Sequence, residues 1–108
     1  MIDFDKLEHD IMLAQKEANL YRNVEDGGTC NFDMVTIKLG RYTKKTKKLA
    51  AQLDWDITPV EEGKYWAGWW FIFININGQG NRRTTMVEAA AKKLEELGWE
   101  TRVFYEVD

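Results

Sequence analysis

The composition of this 108-residue chain excludes several classes of protein before any motif is considered. It contains one cysteine, one histidine, one proline and five tryptophans, and its formal net charge is −3. A lone cysteine cannot form an internal disulfide, and metal sites built from several cysteines or histidines are excluded. The start of the sequence lacks a signal-peptide pattern, and the longest apolar run is too short to span a membrane. We therefore expect one cytoplasmic domain over residues 1–108, with no metal, cofactor or membrane contact.

The first predicted element is a helix over residues 4–21. Its apolar residues recur at spacings of three and four, which places them on one stripe. Asp3 or Asp5 can cap its N-terminus, and Gly27-Gly28 follows its end. The stripe consists of Phe4, Leu7, Ile11, Ala14, Ala18 and Tyr21.

A strand is predicted over residues 29–39, followed by a short helix and a loop. The apolar alternation slips by one residue between Met34 and Val35, which indicates either a β-bulge or a strand buried on both faces. Thr43 can cap a helix over 43–53. Residues 54–64 contain Pro59 and several carboxylates, so they are predicted to be mostly loop.

The run from Tyr65 to Asn75 is the strongest strand pattern, because it is apolar on both faces. If one face of the sheet stays uncovered, Trp66, Trp70 and Ile72, or their counterparts on the other face, would form a protein interface or a dimer contact. The alternative is that the 43–53 helix or the 54–64 loop covers that face.

The last third of the chain predicts a helix and a closing strand. Thr85 and Glu88 have capping-box spacing, and Gly98 suits the position after a helix that ends near Leu97. Residues 99–107 alternate as a strand, and a strand–helix–strand unit usually forms a parallel pair. The predicted fold class is therefore α+β, a three-stranded sheet with helices packed on one face, in the order α-β-(α)-β-α-β.

The segment Gly78–Thr85 is the first candidate for ligand binding. It follows an apolar strand and leads into a helix N-terminus, where free N–H groups and the helix dipole favour an anion such as a phosphate or a nucleotide. Asn31 and Asp33 share one strand face and can approach this loop. The alternatives are a solvated turn and a buried hydrogen-bond network. The predicted ligand-binding residues are Asn31, Asp33, Gln79, Asn81, Arg82, Arg83 and Thr84.

The other chemistry-bearing residues favour a binding protein over an enzyme. His9 lies off the apolar stripe and is interpreted as solvated, and Cys30 as a buried, inert thiol. No nucleophile elbow or phosphate loop is present, although an enzyme that depends on Cys30 stays a third hypothesis. The basic run 41–48 is interpreted as a solvated helix face, and nucleic acid is not the expected partner.

Two segments resemble small uncharacterised accessory proteins of prophages and other mobile elements of Gram-positive bacteria. They are GGTCNFD at residues 27–33 and GQGNRRT at 78–84, and the likeness runs in order as far as Tyr105. This group includes anti-defence factors such as anti-CRISPR proteins and sponges of signalling nucleotides. The resemblance implies a small accessory protein but no particular chemistry. Together with the loop described above, it predicts a non-enzymatic protein that captures an anionic ligand through Gly78–Thr85. The alternative is an anti-defence inhibitor that binds a protein through the aromatic sheet face, alone or as a homodimer.

Overall fold

Three α-helices and a four-stranded sheet make up the part of the chain that the computed structural model describes, residues 2–25, 27–28, 31–40, 43–61, 64–76 and 80–106. The α+β class is confirmed, whereas the prediction of three strands is wrong by one. The elements are α1 (Phe4–Asn19), β1 (Met34–Lys38), α2 (Lys44–Ala51), β2 (Asp56–Pro59), a short 3-10 helix (Lys64–Trp66), β3 (Trp69–Phe73), α3 (Asn81–Glu96) and β4 (Thr101–Phe104).

The strands lie in the order β2-β3-β1-β4, and every neighbouring pair is antiparallel. Val35 of β1 pairs with Ile72 of β3 on one side and with Val103 of β4 on the other. The predicted parallel pairing of the last two strands is therefore wrong. β3 and β4 do run in the same direction, but β1 lies between them, so α3 crosses over one intervening strand.

Strand β2 lies within the segment predicted to be a loop. Pro59 cannot donate a hydrogen bond to a ladder, and Asp56 is a poor strand former, so the pattern argued against a strand. β2 pairs only with β3, and an edge strand tolerates both residues because its outer side needs no partner. Residues 62 and 63 of the predicted loop lie outside the described part.

The core lies between one face of the sheet and the pair of helices α1 and α3. The stripe predicted for α1 is confirmed from Leu7 to Ala18, whose side chains are fully buried. Trp70 and Ile72 of β3 are only 2% and 0% exposed. Burying a side chain as large as Leu or Ile stabilises a fold by about 1.5–3 kcal/mol, so this layer carries most of the stability.

Capping residues in the sequence predicted the N-termini of two of the three helices. Asp3 caps α1 by accepting a hydrogen bond from the Lys6 N–H at 3.0 Å, and Thr43 caps α2 within a capping box, both as predicted. α3, however, begins at Asn81 and not at Thr85. Its N-cap is Gly80, with a φ of 59°, a conformation that glycine adopts without strain.

Strand β1 pairs without a bulge from Met34 to Lys38, and its second face is only partly buried, because Met34 is half-buried and Lys38 is exposed. Val35 and Ile37 face the helices, and Thr36 is also fully buried although it faces the other way. The Thr36 hydroxyl donates a hydrogen bond to the backbone carbonyl of Arg102 at 2.7 Å, which satisfies the polar group. Residues 29 and 30 of the predicted strand lie outside the described part.

Candidate functional site

The residues predicted to bind a ligand come together where the chain enters β1 and α3 begins. Asn31 donates hydrogen bonds from Nδ2 to the Gly80 carbonyl at 3.2 Å and to Thr84 Oγ1 at 3.0 Å. The Thr84 hydroxyl donates in turn to Asp33 Oδ2 at 2.8 Å. Asn31 and Asp33 are both buried, at 9% and 3% exposure. We call Asn31, Asp33, Arg83 and Thr84 the junction network.

Arg83 is held within the junction network by the chain itself. Its Nε donates to the backbone carbonyl of Asp33 at 2.9 Å, and its Nη2 lies 3.3 Å from the Met34 sulfur. Burial lowers the pKa of the Arg83 guanidinium, and the nearby Asp33 carboxylate partly offsets that effect. Asp33 Oδ1 also accepts the Glu106 N–H at 3.0 Å. These contacts form a buried hydrogen-bond network, which is the alternative to ligand binding at this site.

The neighbouring Asn81 and Arg82 lie at the rim of this network. Asn81 is exposed, and its backbone N–H donates to the Gly27 carbonyl at 2.7 Å. Arg82 donates from Nε to the Val24 carbonyl at 2.9 Å. Arg82 and Arg83 therefore each donate their Nε–H to a backbone carbonyl, so fewer N–H groups of each guanidinium are available to bind an anion. Gly78 and Gln79 lie outside the described residues.

One acceptor in the junction network has no partner. Asn31 Oδ1 is buried and accepts no hydrogen bond from the described residues. A free acceptor beside the Asp33 carboxylate suits a donor such as water or a hydroxyl group, and not the oxygens of a phosphate. The interior of the junction is therefore poorly matched to an anion, and any anion would have to bind on its outer rim.

A second candidate surface lies on the face of the sheet opposite α1 and α3. Alternation along β3 and β4 places aromatic side chains there, and the 3-10 helix adds two more. Ring centroids lie 5.2 Å apart between Phe71 and Phe104 and 5.4 Å apart between Trp66 and Phe104. We call this set the aromatic face: Tyr65, Trp66, Trp69, Phe71, Phe73 and Phe104.

The structure corrects two of the three predicted interface residues. Trp70 and Ile72 point into the core beneath the helices, where they are 2% and 0% exposed, so neither can line a surface. Their counterparts on the other side of β3 form the open face. Trp66, the third, belongs to the aromatic face but through the 3-10 helix rather than through β3, because the strand begins only at Trp69.

The aromatic face is exposed at its two ends and closed in its middle. Tyr65 is 69% exposed and Phe73 is 45% exposed, whereas Trp69 is 3% exposed. The guanidinium carbon of Arg102 lies 4.3 Å from the centroid of the Trp69 ring and 4.6 Å from that of Tyr65. Arg102 thus makes cation–π contacts with Tyr65, Trp66 and Trp69, an arrangement that favours a cation.

Arg102 and Phe104 were not singled out from the sequence. Both lie in a short strand of mixed polarity, and only the pairing of β4 with β1 brings them beside β3. The alternation of residues 99–107 predicts one shared face for Trp99, Thr101, Val103, Tyr105 and Val107. The prediction is confirmed for the first three, because Thr101 Oγ1 donates to the Ala91 carbonyl of α3 at 3.1 Å and Trp99 and Val103 pack against the core. Val107 lies outside the described residues.

The remaining candidates show little that suggests catalysis. The His9 side chain is 63% exposed, and its Nδ1 lies 3.3 Å from Asp10 Oδ1. Lysines 44, 45, 47 and 48 of the basic run are exposed on α2. Cys30, Arg41 and Tyr42 lie outside the described residues. Within the described ranges, no cluster of three or more histidine, cysteine or acidic residues is placed to hold a metal ion.

No helix in the described part of the chain has both the length and the apolar character needed to cross a membrane.

Comparison with known proteins adds no family to this picture. No protein-family model, curated protein or solved structure matches the chain. The resemblance to mobile-element accessory proteins therefore stays a prediction.

Proposed function

We propose that the protein is a non-enzymatic binding module that docks a protein partner on its aromatic face. The observation that carries this proposal is the exposure of Tyr65 and Phe73 at the ends of a connected set of rings, on the side of the sheet without α1 and α3. Tryptophan, tyrosine and arginine dominate the energetics of protein interfaces, and Trp66, Tyr65 and Arg102 adjoin one another here.

The charges around the aromatic face favour a partner that is both apolar and acidic. Lys38 pairs in register with Trp69, Arg102 contacts three of the rings, and Lys64 precedes Tyr65. Lys38 Nζ is 3.8 Å from Glu100 Oε2, and both side chains are more than half exposed, so this ion pair is weak. Asp56 lies at the other end, paired with Phe73. We therefore expect the partner's carboxylates near Tyr65 and its apolar side chains along the rings.

Single-stranded nucleic acid is the competing occupant of an aromatic sheet face. Stacked bases need ring faces that are free, whereas Phe71 and Phe104 pack edge to face with an angle of 85° between their planes. The net charge of −3 also disfavours a polyanion. A protein partner is therefore the better match to this surface.

The aromatic-face proposal is tested by selecting a random peptide library on the folded protein. We expect enriched peptides to combine aromatic or leucine residues with Asp or Glu. Their affinity, measured by the change in tryptophan fluorescence, should fall at least about 30-fold in the double variant Tyr65→Ser/Phe73→Ser, as expected for two interface anchors. Leu20→Ser is the matched control, because Leu20 is 72% exposed at the end of α1 and lies outside the aromatic face.

Two outcomes would overturn the aromatic-face proposal. One is selection of peptides whose affinity is the same for the wild type and the Tyr65→Ser/Phe73→Ser variant. The other is that a single-stranded oligonucleotide, such as oligo-dT, binds the wild type and loses affinity in the Tyr65→Ser/Phe73→Ser variant, while the affinity of the peptides is unchanged. If the module binds as proposed, the resemblance to mobile-element proteins would make the contact an inhibitory one.

We propose anion capture by the rim of the junction network as a second function, on one specific observation. The first turn of α3 carries Arg82 and Arg83 but no acidic residue, and its N-cap, Gly80, has no side chain with which to cap it. Cations at a helix N-terminus oppose the helix dipole, and a bound anion would relieve that conflict. Arg82 is the residue to probe, because it lies at the rim, whereas Arg83 contacts both Asp33 and Met34 within the junction.

Calorimetry with a panel of nucleotides and cyclic dinucleotides tests the anion proposal. We expect binding that weakens at least about tenfold in Arg82→Gln. The control Lys92→Gln makes the same change of charge at an exposed position further along α3 and should leave binding unchanged. An absence of binding at millimolar ligand, or equal weakening in both variants, would contradict anion capture.

A further inference from the structure

The two edges of the sheet differ in whether they can accept another strand. β2 contains Pro59, which has no N–H to donate, and an exposed acidic residue, Asp56. Such residues protect an edge from pairing. β4 has no proline and no acidic residue between Thr101 and Phe104, and all four of its residues are half-exposed. The β4 edge is therefore the open one.

The hydrogen bonds of β1 with the β4 segment show which backbone groups are free. The Lys38 N–H donates to the Glu100 carbonyl at 3.0 Å, and the Phe32 N–H donates to the Glu106 carbonyl at 2.8 Å. In an antiparallel ladder the bonding residues alternate, so even-numbered residues of this segment face β1. The N–H and C=O groups of Thr101, Val103 and Tyr105 consequently point away from the sheet, toward the open edge.

We infer that this edge pairs with β4 of a second copy of the chain, in antiparallel fashion about a two-fold axis at Phe104. Val103 would exchange backbone hydrogen bonds with Tyr105 of the second copy. The two Phe104 rings would lie opposite each other, and Arg102 would face Glu106 of the second copy. The four-stranded sheet would continue across the axis, and the aromatic faces of both copies would lie on the same side.

Charge complementarity favours this register over those with the axis at Arg102 or at Val103. A two-fold axis at Arg102 would set the two arginines against each other, and an axis at Val103 would set Glu100 against Glu106. Like charges directly opposite destabilise a pair of strands, and opposite charges stabilise it. The axis at Phe104 matches Arg102 with Glu106 on both sides. It also sets Glu100 against Asp108 at the outermost positions, so its advantage over the other two registers is the pair of Arg102–Glu106 contacts. Asp108 lies outside the described residues.

The guanidinium of Arg102 is not fully hydrogen-bonded within one copy of the chain. Its Nη1 is buried without an acceptor among the described residues, and its guanidinium turns inward onto Trp69. Opposite residues in paired strands have Cβ atoms about 5 Å apart, so Glu106 of the second copy would compensate this charge from the open side. The dimer uses the β4 edge and leaves Phe73 free, but it shares Arg102, on which Tyr65 packs, with the aromatic face. Its test is therefore read from self-association and not from peptide binding.

The dimer is tested by reversing the charge at Arg102 and at Glu106 in separate variants and then mixing the two variants. We expect the wild type to sediment as a dimer in analytical ultracentrifugation, and Glu106→Arg and Arg102→Glu each to weaken self-association at least about tenfold. An equimolar mixture of the two variants should form a heterodimer, because both of its Arg–Glu contacts are restored. Glu95→Arg, an equal change of charge on the exposed side of α3, should dimerise like the wild type.

Rescue in the mixture separates loss of the contact from loss of the fold, since Arg102 also packs on Trp69. A wild-type protein that stays monomeric at millimolar concentration would overturn the inference. So would dimerisation of Glu106→Arg with wild-type affinity, or failure of two folded single variants to associate when mixed.

Discussion

The buried carboxylate of Asp10 joins α1 to the segment that precedes the last strand. Asp10 is 4% exposed. Its Oδ2 accepts hydrogen bonds from Lys6 Nζ at 2.6 Å and from Trp99 Nε1 at 2.8 Å. Because the two donors come from opposite ends of the chain, this one side chain fixes the N-terminal helix against the C-terminal segment.

Replacing Asp10 with asparagine should lower the free energy of unfolding by about 1–2 kcal/mol at neutral pH. Asparagine keeps the size of the side chain but removes the charge that strengthens both hydrogen bonds. Urea unfolding of Asp10→Asn measures the loss. The exposed Asp5→Asn is the control and should cost only a few tenths of a kcal/mol, as expected of an acidic residue in the first turn of a helix.

The same substitution has a defined dependence on pH. Burial alone would raise the pKa of the Asp10 carboxyl, but hydrogen bonds from Lys6, Trp99 and His9 outweigh it and hold that pKa below its ordinary 3.8. The unfolded chain then binds the proton more readily, so the stabilisation is present above that pH and is lost below it. The gap between wild type and Asp10→Asn should close between about pH 5 and pH 2. A gap that stays constant would contradict the assignment.

Residues of the junction show how far a site can be inferred from sequence. The alternation of strand side chains correctly brought Asn31 and Asp33 to the start of α3, where Thr84 bonds both. The pattern could not show that Arg83 would donate to the Asp33 backbone, because that contact depends on how α3 is set against β1. The sequence therefore predicted which residues lie close together, but not which acceptor each side chain would bond.

Among the elements, those with strong local signals were predictable and those defined by pairing were not. α1 has an apolar stripe from Leu7 to Ala18 and a capping aspartate, and both are local properties. β2 is four residues long and carries a proline, so only its pairing with β3 makes it a strand. The N-cap of α3 is Gly80, five residues before the capping-box residue Thr85, because Gly80 adopts a positive φ; the stronger pattern at Thr85 concealed this start.

At the scale of the whole molecule, the sheet has one face that stabilises the fold and one that remains partly open. The helix-covered face contains fully buried side chains such as Ile72, Val35 and Leu94. The aromatic face has no comparable layer among the described residues, and its rings contact one another instead. Alternate residues of β3 therefore have different roles: one set packs in the core beneath the helices, and the other forms the aromatic face.

Substitutions at two adjacent residues of β3 should separate these roles. Ile72→Ala creates a cavity beneath the helices and should lower the free energy of unfolding by about 2–5 kcal/mol. Phe73→Ser removes a ring that is already 45% exposed, so it should cost about 1 kcal/mol or less. Urea unfolding with an unchanged denaturant slope gives both values. Equal losses would mean that the aromatic face is a second core rather than a binding surface, whereas a small loss at Phe73 leaves that ring available to a partner.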